Sequence, residues 1–107
     1  MDELLQLLKG HDVRLILAVY PQPDQIYHHD LDSRQVRFWR EWTQANSVPF
    51  LNYFPKFIDT PESKEAIIRR FYIPGDVHFN EAGHRFIADG FLDYYRSLHA
   101  TDGAAGR

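Results

Sequence analysis

Between Glu3 and Lys9 the leucines Leu4, Leu5, Leu7 and Leu8 recur at helical spacing, which predicts a short amphipathic helix ending at Gly10, a residue suited to a left-handed C-cap. From Val13 to Tyr20 the pattern changes to a nearly unbroken apolar run closed by Pro21 and Pro23. Such a run reads as a strand buried on both faces of a parallel sheet. Helical periodicity returns after Asp32 or Ser33, either of which can cap a helix running to about Asn46. Val36, Trp39, Trp42 and Thr43 share one face of it, while Arg34, Arg37, Arg40 and Glu41 lie elsewhere. The two tryptophans are therefore read as core-facing rather than as a stacking platform, and the arginines as a wet face.

A second apolar run, Val48 to Phe54, predicts another strand, stopped by Pro55. Thr60 as N-cap with Pro61 at the first helical position opens a helix through Glu65 to Phe71, which Pro74-Gly75 breaks. Asn80 can cap a last helix to about Leu98, on which Phe86, Ile87, Phe91, Tyr94, Tyr95 and Leu98 recur at helical spacing. Residues 100–107 are small and polar, a frayed tail behind one unit spanning residues 1–99.

The order α-β-α-β-α-loop-α is α/β grammar. A strand as apolar as residues 15–19 should have a neighbour on each edge, yet only one other parallel strand is legible. A two-stranded sheet is marginal by itself, so the remaining strands are expected from an upstream segment or from another chain. The unpaired edges also offer a route to a homo-oligomer or a noncatalytic docking module.

Composition narrows the classes. With 44% apolar and 25% charged residues the chain can bury a core and is not of the disordered type. Twelve basic against fifteen acidic residues leave no cationic surplus for phosphates, so nucleic acid is not an expected partner. The longest apolar run falls well short of the ~20 residues of a membrane helix, so no membrane partner is expected. There is no cysteine, hence no disulfide, thiolate metal site or cysteine nucleophile, and the redox compartment stays open.

The stretch with chemistry in it is Ile73-Pro74-Gly75-Asp76-Val77-His78-Phe79-Asn80-Glu81-Ala82-Gly83-His84. An acid two residues before a histidine, in a loop that opens a helix, can reach the imidazole. It would fix the tautomer and stabilise the imidazolium formed when His78 accepts a proton, making His78 a candidate general base and Asp76 its orienting acid. Two plainer readings stand beside this: Asp76 as a capping acid with His78 an ordinary surface histidine, and a metal site built from Asp76, His78, Glu81 and His84. The spacing matches no established zinc signature.

The same stretch resembles the last block of the SGNH/GDSL hydrolases, an Asp and a His just before the C-terminal helix, followed by Asn, a small residue, Gly and His. The resemblance extends to the strand ending at Tyr20-Pro21, the helix containing Ser33 to Trp39 and the second strand ending at Phe54-Pro55, so it covers residues 3 to 98 in order. Many members have Asp-x-x-His where this chain has the Asp-x-His of some branches. The resemblance implies a three-layer α/β/α, flavodoxin-like fold and a Ser-His-Asp mechanism on acyl or acetyl esters, including acetylated carbohydrates. It implies no cofactor and no metal, and points to an extracytoplasmic setting. Its nucleophile and oxyanion blocks have no counterpart here: Ser33, Ser47, Ser63 and Ser97 stand in no Gly-Asp-Ser or Gly-x-Ser-x-Gly context. The expectation is an enzyme fragment that supplies acid and base and is inactive alone.

Overall fold

The computed structural model describes residues 1–105, with side chains through Leu98. Helix α1 (Asp2–Gly10) leads to strand β1 (Leu17–Val19), and helices α2 (Pro23–Tyr27) and α3 (Arg34–Ala45) lead to strand β2 (Phe50–Asn52). Helices α4 (Phe54–Ile58), α5 (Lys64–Phe71) and α6 (Glu81–Ala105) complete the chain. The two strands pair in parallel, Leu17 with Phe50, Ala18 with Leu51 and Val19 with Asn52, and α3 is the crossover that packs on both. Among the described residues the sheet has these two strands, so the molecule is mixed α/β around a small parallel sheet.

Both strands are shorter than their apolar runs. The expected burial of β1 on both faces is not found: Val19 is buried, but Ala18 is exposed and Val13 is half exposed. The hydrogen bonds from Leu17 N to Pro49 O and from Tyr53 N to Val19 O turn residues 17 and 19 toward β2. Ladder alternation then leaves the N–H and C=O of Ala18 on the free edge.

Two short helices begin where the sequence marked only strand ends, and α4 takes up Phe54 from the expected end of the second strand. Pro23 does not merely close β1. It stands at the start of α2, whose Gln22 and Gln25 form a reciprocal cap. Pro55 likewise sits in the first turn of α4, where the Asn52 side chain accepts from the Phe54 N–H. The cap of α5 is Ser63, accepting from Ala66 N, rather than Thr60, which closes only a small turn with Glu62 N. Helix α6 continues past the expected stop near Leu98 to Ala105; Gly106 and Arg107, the end of the expected tail, lie outside the described residues.

Helices α1, α2 and α3 finish in the same way. Asp12, His29 and Ser47 adopt φ near +55°, and the next N–H bonds back to Leu8, Gln25 and Thr43 respectively. This is the left-handed closure with a six-to-one bond. At α1 it falls on Asp12, so Gly10 is not the left-handed residue that the sequence suggested.

The core gathers Val19, Ile26, Val36, Leu51, Tyr53, Phe54, Ile58 and Ile67 with an aromatic cluster centred on Phe57. Phe57 stacks on Phe79 and meets Phe71, Tyr72 and Phe86 edge-on or tilted, with centroids 4.8 to 6.2 Å apart. On α3, Val36 and Thr43 are buried, Trp39 packs on the core rim, and the Trp42 indole N–H donates to Asp2 Oδ1, tying α1 to α3.

Candidate functional site

The segment between α5 and α6 is a closed hairpin. Tyr72 and Phe79 form an antiparallel bridge, the Ile73 N–H donates to the His78 carbonyl, and the Asn80 N–H donates to the Phe71 carbonyl. Its tip turns through Pro74 and Gly75, with Asp76 N bonded to Ile73 O and Gly75 at φ +72°. Proline followed by a residue with positive φ is the type II arrangement, which glycine enters without a Cβ clash.

Asn80 fixes the base of this hairpin. Its side-chain oxygen accepts from the Gly83 N–H at 2.8 Å, capping α6, while its amide donates to the Arg70 carbonyl at 2.9 Å, serving the orphan end of α5. The two helix ends meet closely enough that a Cβ on Gly83 would lie 2.2 Å from the Phe71 carbonyl oxygen.

Asp76 and His78 do come together. Asp76 Oδ1 lies 2.6 Å from His78 Nδ1 and also accepts from the Val77 N–H at 2.7 Å and the His78 N–H at 3.2 Å. The hydrogen bond from the imidazole, helped by those backbone donors, holds the Asp76 carboxyl below its usual range. A carboxylate on Nδ1 selects the tautomer with hydrogen on Nδ1 and a lone pair on Nε2, which is what a general base needs. The His78 side chain is 77% exposed, so the water-excluding wall of a working active site is not supplied by these residues.

The hairpin stands at the carboxyl end of the sheet. Tyr20, directly after β1, packs on Phe79 at 5.1 Å between centroids, and the buried Tyr72 hydroxyl donates to the Pro21 carbonyl. That end is where open α/β sheets place their chemistry. A groove of about 560 Å³ opens beside the loop, lined by Gln22, Asp24, Glu65, Arg69, Ile73, Asp76, Val77 and their neighbours. Asp76 is in that lining and His78 is not.

The four-ligand metal arrangement does not assemble. Among the described residues no three His, Asp or Glu side chains are disposed to hold an ion. Glu81 pairs with Arg85 one turn along α6 at 3.5 Å, and the exposed His84 meets the edge of Phe79. Nor is any helix among the described residues long and apolar enough to cross a membrane.

Sequence reasoning missed Tyr20 and Tyr72 as parts of this site. No periodicity marks them, because their contacts depend on bringing Pro21 and Tyr72 together across the chain. Comparison with family models, curated proteins and solved structures finds no match to this chain.

Proposed function

We propose that this chain supplies the acid and base of an SGNH-like Ser-His-Asp hydrolase acting on acyl or acetyl esters. The observation that carries this reading is the 2.6 Å contact between Asp76 Oδ1 and His78 Nδ1 at the carboxyl end of the parallel sheet. In the proposed reaction His78 Nε2 takes the proton of a serine hydroxyl as that oxygen attacks the ester carbonyl, and returns it to the leaving alcohol. Asp76 holds the ring and stabilises the imidazolium without itself becoming protonated. The serine and the oxyanion donors belong to a segment outside this sequence, which would also pair with the free edge of β1 and complete a three-layer α/β/α sandwich. An acetylated carbohydrate or another small acyl ester is the proposed substrate.

The exposure of His78 and the open edge at Ala18 favour the same conclusion from the packing side, since both need covering. The open edge also supports a second reading, a noncatalytic module that dimerises by strand addition. Assay of the complete gene product with p-nitrophenyl acetate separates the two. The hydrolase reading expects turnover that His78→Ala abolishes, whereas an inactive, dimeric product on size exclusion with light scattering would support the module.

A further inference from the structure

The hairpin that presents Asp76 and His78 is bonded mainly to itself and to the helices on either side of it. Ile73 N–H to His78 O closes the hairpin, and the Asn80 bonds fasten it to α5 and α6. A side-chain hydrogen bond ties it to the end of β1: the Tyr72 hydroxyl donates to the Pro21 carbonyl, across 51 positions of sequence. Tyr72 is 1% exposed, and its ring packs against Phe79 at 4.8 Å and Phe57 at 6.2 Å. It is also the hairpin's first residue, bridged to Phe79 beside His78.

We propose that Tyr72 is a positioning residue that latches the Asp76–His78 pair to the carboxyl end of β1. The catalytic meaning of this latch rests on the hydrolase reading above, whereas the latch itself is a property of the folded chain. Without the hydroxyl, apolar packing such as that of Tyr20 on Phe79 would remain, and ring packing fixes neither direction nor register as a hydrogen bond does. Burial, with Tyr20 nearby, pushes the Tyr72 hydroxyl above the ordinary phenol range, which favours its protonated, donating form. The carbonyl of Pro21, itself a buried residue, gains a partner that it would otherwise lack inside the core.

Tyr53 provides an internal control. As a whole residue it is as buried as Tyr72, and its hydroxyl donates, in a partly buried setting, to the Ile87 carbonyl at 2.6 Å, a bond that serves α6 rather than the hairpin. Tyr72→Phe and Tyr53→Phe each delete one hydrogen-bonded hydroxyl and keep the ring, so both should lower stability. Their effects on the Asp–His pair should differ.

The test is ¹⁵N NMR of the histidines and amide exchange on the present chain and the two variants. Trimethylamine N-oxide is added so that each stays folded. Tyr72→Phe is expected to move His78 from the Nδ1–H tautomer toward Nε2–H and to speed exchange of the Ile73 amide roughly tenfold. Tyr53→Phe should leave both unchanged. If both variants leave the His78 tautomer and the Ile73 amide unmoved, or move them equally, the latch is overturned. The hydrolase reading is untouched by that result, because no turnover is measured.

Discussion

At Gly83 two requirements oppose each other. Alanine is the better helix former by ~1 kcal/mol, but its Cβ would stand 2.2 Å from the Phe71 carbonyl oxygen, a backbone atom that can yield only if α5 and α6 separate. The clash outweighs propensity, so Gly83→Ala is expected to destabilise by about 2 kcal/mol in urea unfolding and to loosen the Asn80 cap. At Gly90 the obstruction is the Tyr53 ring at 2.6 Å, buried and held by its hydroxyl bond to Ile87, so Gly90→Ala is also expected to destabilise, by about 2 kcal/mol. A Gly83→Ala variant as stable as the parent chain would contradict the assignment of Gly83 as the helix-end contact. Asp76 gives a pH signature. Its folded-state pKa lies below the unfolded one, so its contribution to stability is complete above the ordinary carboxylate range and disappears as pH falls through the lowered value. Asp76→Asn should flatten that acid-side slope in denaturation midpoints, and a slope identical to the parent chain would contradict the contact with His78. The pairing of Asp76 and His78 was legible in sequence because two residues of separation leave the side chains few places to go. The Tyr72 latch was not, since nothing local to Pro21 or Tyr72 announces the other.

Element ends carry the second kind of lesson. Ser33 and Ser63 each accept from the N–H three residues on and cap α3 and α5. Ser63→Ala should therefore cost about 1 kcal/mol, and Thr60→Ala only a few tenths, because Thr60 closes a turn outside the helix. The reverse order in thermal denaturation would restore the Thr60-Pro61 start that the sequence suggested. Ser47 ends α3 at φ +55° with a Cβ that this region penalises, so Ser47→Gly is expected to stabilise by about 0.5 kcal/mol. The long helices were readable because each buries one periodic stripe. Helices α2 and α4 were not: at five residues each they carry no measurable period, and the prolines that open them also read as strand terminators. The left-handed closures escaped for a related reason, since Asp12, His29 and Ser47 are not glycines and only the returning N–H identifies them.

For the molecule as a whole, the apolar runs at residues 13–20 and 48–54 marked the parallel pair and its helical crossover, but overstated the length of both strands and the burial of the first. Only residues 17–19 and 50–52 pair, and Ala18 stays exposed. That excess of apolar character over actual burial is what an absent neighbouring strand would leave behind. In the proposed hydrolase, the exposed base at His78 and the edge at Ala18 would both be covered by the segment that brings the nucleophile. The central claim is tested most directly by the rate of p-nitrophenyl acetate hydrolysis by the complete gene product and by its His78→Ala variant. The account expects kcat to fall by roughly 10⁴-fold or more in the variant. Turnover that survives His78→Ala, or its absence in the complete product, would contradict it.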